Sequence, residues 1–152
     1  MHKFRGVSNL SLDAKGRIVL PARYRERLLA ICESQLIVTI DTDQPCLLIY
    51  PLPEWERIEE KIEALPSFNP TTRRIQRLLI GHATEIEVDA NGRMLLSNPL
   101  REYAQLDKKV VLIGQGKKFE LWDEAVWNER MSSWLNESGD GATPDALAEL
   151  TL

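Results

Sequence analysis

Apolar residues recur along the chain in two rhythms, and their succession predicts the elements. Alternation with period two marks residues 4–12 as a strand and 17–20 as its hairpin partner across a tight corner, with Leu10 and Leu12 before it and Ile18 and Leu20 after it. Pro21 suits the first position of a helix, where its missing N–H leaves nothing unbonded, and a short helix follows over about 22–30 with Tyr24, Leu28 and Ile31 toward the core. Leu36–Ile40 and Cys46–Tyr50 read as two further strands, with Asp41-Thr42-Asp43-Gln44-Pro45 turning between them. Trp55, Ile58, Ile62 and Leu65 then fall on one helical stripe that Pro51-Leu52-Pro53 starts and Pro66–Pro70 breaks. Asn69 can cap a next helix, about 71–80, which carries Ile75, Leu78 and Leu79 among Arg73, Arg74 and Arg77 and ends at Gly81. From Ala83 the first theme returns: a strand, a corner, a strand through Leu96, a short helix near 99–106, and strands near 109–114 and 118–122. A last helix over 124–135 has Val126, Trp127, Met131 and Trp134 on one face. Beyond Asn136 the chain is rich in Gly, Ser and acids and holds no basic residue, which predicts a poorly ordered tail with at most a helical turn near 144–150.

The return is a repeat in the strict sense. Asp13-Ala14-Lys15-Gly16-Arg17 comes back as Asp89-Ala90-Asn91-Gly92-Arg93, 76 residues on, and Arg25-Glu26 matches Arg101-Glu102 at the same offset. Later matches (Val38 with Val110, Leu47 with Phe119, Trp55 with Trp127) run at 72, so the first unit holds four extra residues in its middle. Asp first and Gly fourth suit a type I turn whose last residue swings to positive φ, with the Asp side chain accepting from backbone N–H groups two residues on. Asp13 and Arg17 then stand at the mouth of the turn with Lys15 on its tip; at the second corner Asn91 replaces that lysine.

Composition narrows the function. The chain of 152 residues is 43% hydrophobic and 28% charged, ordinary for a globular protein, and two related halves sharing one core suit this length better than two separate beads. No apolar run is long enough to span a bilayer and no signal core follows Met1–Arg5, so the protein is expected to stay in the compartment where it is made. Cys32 and Cys46 read as buried or idle thiols; their spacing, with His2 and His82 distant, suits no metal site. Net charge is −4, yet residues 1–30 hold Lys3, Arg5, Lys15, Arg17, Arg23, Arg25 and Arg27 against Asp13 and Glu26 alone. The N-terminal unit is a candidate for phosphate contact, and the whole surface is not. No nucleophile stands beside a base, and there is no Gly-rich phosphate cradle or ligand cluster, so no enzyme and no cofactor are expected.

The two Asp-x-x-x-Arg corners, the stretch Arg73-Arg74-Ile75-Gln76-Arg77-Leu78-Leu79-Ile80-Gly81-His82-Ala83, and Tyr50-Pro51-Leu52-Pro53-Glu54-Trp55 together closely resemble the MraZ family, bacterial transcriptional regulators of the AbrB-like swapped-hairpin class. The resemblance runs from Phe4 to about Trp134. It implies an α+β fold in which two AbrB-like halves, 4–51 and 83–123, form one pseudo-dimeric swapped-hairpin barrel, with helical segments 52–82 and 124–135 and a tail over 136–152. It also implies a ring-shaped homo-oligomer, cytoplasmic and nucleoid-associated. That ring would bind direct repeats of double-stranded DNA in the promoter of the division and cell-wall gene cluster and regulate the cluster, its own gene included. By position, the DNA-facing residues would be Asp13, Lys15, Gly16 and Arg17, with Asp89, Gly92 and Arg93 as counterparts.

In this reading Asp13 fixes Arg17 by a charge-assisted bond, Arg17 meets guanine O6 and N7, and Lys15, Arg5 and the helix arginines hold phosphates. Arg23, Arg25 and Arg27 have the solvated helix face as their plain alternative. The tryptophan stripes read as core or subunit-interface packing, Arg73, Arg74 and Arg77 as partners for acids between subunits, and His82 as packing. A competing function is an antitoxin-like protein-binding module that uses the 136–152 tail.

Overall fold

The computed structural model describes residues 3–137 together with Leu147, Glu149 and Leu150. The first repeat supplies β1 (Phe4–Ser11), β2 (Arg17–Val19), α1 (Ala22–Cys32), β3 (Gln35–Ile40), β4 (Leu47–Pro51) and α2 (Leu52–Glu63). After α3 (Pro70–Ile75) and a π-helical stretch, Gln76–Ile80, the second repeat supplies β5 (Thr84–Glu87), β6 (Arg93–Leu95), α4 (Asn98–Tyr103), β7 (Lys109–Gly116), β8 (Phe119–Asp123) and α5 (Glu124–Leu135). The expected α+β class holds. The four extra residues of the first repeat lie in α1, whose eleven residues exceed the six of α4 by a little over one turn.

Six strands form one antiparallel sheet in the order β1-β7-β8-β4-β3-β5, and β2 pairs with β6 in a separate two-stranded ribbon. The order is symmetric about the β8–β4 pair. Each repeat lends its first strand to the other: β1 lies on β7 from Phe4↔Gly116 to Ser11↔Lys109, and β5 lies on β3 from Gln35↔Glu87 to Val38↔Thr84. Two expectations are thereby corrected. The strands flanking each corner do not pair with one another, because the corner sends β2 out of the sheet to meet β6. The sheet is also open rather than a closed barrel, since among the described residues β1 bonds only to β7 and β5 only to β3.

Alternation along the strands explains the continuous apolar runs: both faces of the sheet are covered. On one face Val38, Ile40, Leu47, Ile49, Val110, Leu112, Phe119 and Leu121 join Tyr24 and Leu28 of α1, Leu100 of α4, and Ile18 and Met94 of the ribbon. On the other, Ile37, Leu48 and Tyr50 take Trp55 of α2, while Val111, Ile113 and Trp122 take Val126 and Trp127 of α5. Leu65, placed on the α2 stripe by its spacing, lies past the helix end and is exposed. The α5 stripe is half-covered: Trp127 and Trp134 pack edge-on against Trp122, and Met131 and Trp134 remain exposed.

Asn69 caps α3 as expected, its side-chain oxygen accepting from the N–H of Thr71 at 2.9 Å. The helical segment ends at Gly81 as expected, in right-handed geometry. The Gly81 N–H reaches back five residues to Gln76 O at 3.1 Å, and a Cβ at Gly81 would stand 2.1 Å from Arg77 O. Glycine is needed there for closeness. Of the 136–152 tail, residues 138–146, 148, 151 and 152 lie outside the described residues.

Candidate nucleic-acid interface

Both corners form, and they are built alike. At the first, Asp13 N donates to Arg17 O at 2.9 Å and Gly16 N donates to Asp13 O at 3.0 Å. Asp13 Oδ1 accepts from the backbone N–H of Lys15 at 2.9 Å and of Arg17 at 2.8 Å, while Oδ2 accepts from Arg17 Nε at 2.8 Å. At the second, Asp89 Oδ1 accepts from Asn91 N and Arg93 N at 2.9 Å each, and Oδ2 from Arg93 Nε at 3.1 Å. Gly16 and Gly92 sit at φ +87° and +77°, the left-handed region where a Cβ is disfavoured. The backbone N–H of the corner arginine is the main influence on each aspartate, and with its guanidinium and the N–H at the tip it holds the carboxyl below the usual carboxylate range despite some desolvation.

The ribbon brings the two corners together. Its register pairs Arg17 with Leu95, Ile18 with Met94, and Val19 with Arg93. Ile18 and Met94 are buried, so Arg17, Val19, Arg93 and Leu95 share the outward face. Arg17 and Arg93 are diagonal neighbours on it, a relation that sets such positions about 7–8 Å apart. Each spends Nε on its own aspartate, and among the described residues neither commits a terminal nitrogen.

Of the residues singled out from the sequence, Asp13, Lys15, Gly16, Arg17, Asp89, Gly92 and Arg93 thus converge on one ribbon. Arg5 does not. It is exposed near the start of β1, opposite Gln115, and six or more strand residues away from the corner, on the order of 20 Å along the strand.

Sequence reasoning missed two groups. The first is a crossed pair of arginines: Arg25 Nε donates to Leu20 O at 2.8 Å and its side chain lies against Gly92, while Arg101 Nε donates to Leu96 O at 3.1 Å and lies against Gly16. The signal was present in the matched Arg25-Glu26 and Arg101-Glu102, but an arginine on a helix surface reads first as solvated. Its neighbours are tied as well: Arg23 Nη2 donates to Ser8 Oγ at 2.8 Å and stacks over Tyr24, and Arg27 Nη1 donates to Lys3 O at 2.9 Å. The second group is Lys108 and Lys109, exposed in a cleft beside Asp13 and Ala14. The corresponding cleft beside Asp89 and Ala90 carries Glu26, Glu33 and Glu87 instead. The two corners are alike in geometry and differ in the charge balance of these clefts, Arg101, Lys108 and Lys109 against Asp107 at the first and Arg25 against Glu26, Glu33 and Glu87 at the second.

Other candidate chemistry is sparse. Asp41, Cys46 and Glu120 approach one another within 4.8 Å, one sulfur and two carboxylates. Their atoms already have partners: Cys46 Sγ donates to Asp41 Oδ2 at 3.6 Å, and Glu120 Oε1 accepts from Trp122 Nε1 at 2.8 Å. Burial, reinforced by both carboxylates, pushes the Cys46 thiol far up, so it stays protonated. His82 Nδ1 lies 2.8 Å from Leu78 O at the end of the π-helical stretch. Among the described residues no helix is long and apolar enough to cross a membrane.

Comparison with known proteins decides the family. The family model described as "MraZ protein, putative antitoxin-like" matches residues 3–78 and again residues 79–146. The chain belongs to the MraZ family. The protein named Transcriptional regulator MraZ of Alkalilimnicola ehrlichii is 53% identical over 149 residues, covering 98% of this chain and 99% of that one. The MraZ regulators of Thioalkalivibrio sulfidiphilus and Pseudomonas aeruginosa are 56% and 54% identical, over 96% and 98% of this chain and 97% and 99% of their own lengths. The two matched segments of the MraZ model divide the chain between α3 and β5, with one corner in each.

Proposed function

We propose that this MraZ-family chain is a DNA-binding transcriptional regulator that reads the major groove with the outward face of the β2–β6 ribbon. The observation that carries the reading is that Arg17 and Arg93 stand as diagonal neighbours on that face, each held through Nε by its own aspartate. A major groove about 12 Å wide admits a two-stranded ribbon, and an arginine whose terminal nitrogens project as a fork matches guanine O6 and N7. Fixing the side chain beforehand reduces the freedom lost on binding. The names of the relatives support regulation of transcription.

The charge difference between the corners gives the unit a direction. Lys108 and Lys109 line the cleft beside Asp13 with Asp107 and Arg101, whereas Glu26, Glu33 and Glu87 outnumber Arg25 in the cleft beside Asp89, so the first corner is the better site for phosphates. A nearly two-fold ribbon with unequal flanks binds in one orientation, which suits direct repeats better than palindromes. One subunit makes few contacts, so several subunits in a ring engaging evenly spaced promoter repeats would gain by effective concentration. On this reading the protein acts in the cytoplasm, on the nucleoid, as a repressor of the division and cell-wall cluster and of its own gene, without a cofactor, catalytic step or small-molecule substrate.

A mobility shift on repeat-containing promoter DNA tests it. Arg17→Ala should weaken the specific shift strongly while the oligomer survives on a sizing column, and Arg93→Ala should weaken it less. Unchanged shifts with both variants would remove the ribbon from the interface. The family description also contains the word antitoxin, which favours a second reading in which residues 136–152 capture a protein partner. Specific toxin capture that disappears when the tail is deleted would support that reading instead.

A further inference from the structure

Each corner is closed by a group from the opposite repeat. A Cβ on Gly16 would stand 2.7 Å from Arg101 Cζ, 2.8 Å from its Nε and 3.0 Å from its Nη2. A Cβ on Gly92 would stand 2.2 Å from Arg25 Nε and 2.4 Å from its Cζ. Backbone bonds cross in the same sense: Leu20 N donates to Gly92 O and Leu96 N to Gly16 O, both at 2.8 Å. The carbonyls of Leu20 and Leu96 in turn accept from Arg25 and Arg101. The circuit runs from the Arg25 guanidinium to the end of its own β2, across to the second corner, and back through β6 to Arg101 and the first corner. Gly16 and Gly92 are both buried although the corners around them are exposed, and what lies on them is a guanidinium.

We propose that Arg25 and Arg101 are positioning residues for DNA reading that act crosswise: Arg101 holds the Asp13–Arg17 corner in shape and Arg25 holds the Asp89–Arg93 corner. Neither has to touch DNA for this. A corner glycine at positive φ is the softest point of the turn, and the planar group against it removes the space into which the loop would relax. The arrangement couples the two halves of the reader. A corner distorted in one repeat also loosens a backbone bond made by the strand of the other, an effect smaller than that on its own arginine. It also gives the two glycines a second requirement beyond φ, since a side chain at either would displace the arginine of the other repeat.

The inference rests on the DNA-reading assignment, and the test separates the two. Hydrogen exchange followed by mass spectrometry on the assembled full chain compares the corner segments 13–17 and 89–93. Arg101→Ala should speed exchange in the first segment more than in the second, and Arg25→Ala should do the reverse. A residue that merely supports the fold would move both alike. Affinity for promoter repeats then gives the functional arm. Arg101→Ala should weaken binding about fivefold or more. It should do so again in an Arg93→Ala background but not in an Arg17→Ala background, since its effect passes through that corner. Should either alanine variant lose its fold, the corresponding Arg→Lys variant, which retains a donor for the same carbonyl, carries the comparison. Equal exchange in both segments, or losses that simply add to that of Arg17→Ala, would overturn the crossed role. Wild-type binding by Arg17→Ala and Arg93→Ala themselves would instead defeat the DNA reading and leave the exchange result to stand on its own.

Discussion

Ile18 and Val19 are chain neighbours on a three-residue strand, and the ribbon's seating requires them to behave in opposite ways. Ile18 is fully buried against the sheet face, whereas Val19 is 45% exposed on the outward face beside Arg93. Trimming a buried isoleucine to valine costs about 0.5–1.5 kcal/mol and to alanine about 2–5 kcal/mol, the spread reflecting how far the site can collapse. For a chain of this size that corresponds to a fall in Tm of roughly 1–6 °C for Ile18→Val and roughly 4–20 °C for Ile18→Ala. Val19→Thr changes an exposed β-branched residue into another and should stay within about 0.5 kcal/mol of wild type. The assay is urea unfolding at one fixed protomer concentration, because self-association makes apparent stability depend on concentration. The slope m should be shared by all variants and only the midpoint should move. A one-residue slip would exchange the faces of the whole ribbon. If Val19→Thr proved as costly as Ile18→Val, or Ile18→Ala cost less than about 0.5 kcal/mol, the register and every residue assigned to the outward face would be wrong.

Three further outcomes follow from other parts of the molecule. Gly81→Ala should destabilise by about 1–3 kcal/mol by urea unfolding despite its ordinary φ, because a Cβ there meets Arg77 O; a neutral result would dissolve the π-turn. The folded-state pKa of Asp13 and of Asp89 is depressed, so their contribution is present above the ordinary aspartate range and is lost as pH falls through the depressed values. Carboxyl titration by NMR should find both midpoints below about 3.9, and midpoints at or above that value would deny the corner bonds. Lys108→Ala and Lys109→Ala should each flatten the dependence of log K on log salt by about one and weaken binding to all sequences alike; an unchanged slope would remove that cleft from the phosphate contacts.

How much of this was legible in the sequence depends on whether a feature is local. The corner is set by five consecutive residues, so its bonds and its positive-φ glycine could be read directly, twice. The faces of β3, β4, β7 and β8 were equally plain as apolar runs of strand length. Partner choice was not legible. Alternation in residues 4–12 specifies which side chains face the core but not which strand lies alongside, and in a duplicated chain the other repeat offers an equivalent partner. The same distance hid Arg25: its contact with Gly92 spans the two repeats, while its neighbours in sequence mark it as one of three surface arginines on a helix. Leu65 fitted the stripe of α2 by spacing, but the helix ends at Glu63 and Pro66 follows closely, so it is left exposed. Lys108 and Lys109 sit at the start of β7 with no motif around them, and only the fold carries them to the first corner.

The claim on which the account stands is that the Arg17 fork meets the Hoogsteen edge of a guanine. Replacing individual guanines of the promoter repeat by 7-deazaguanine removes the N7 acceptor without disturbing base pairing, and fluorescence anisotropy gives the affinity of wild type and Arg17→Ala for each duplex. At one guanine per repeat the wild type should lose roughly fivefold or more, and Arg17→Ala, already weakened, should lose nothing further. Equal losses for the two proteins at every guanine would mean that Arg17 does not read the base.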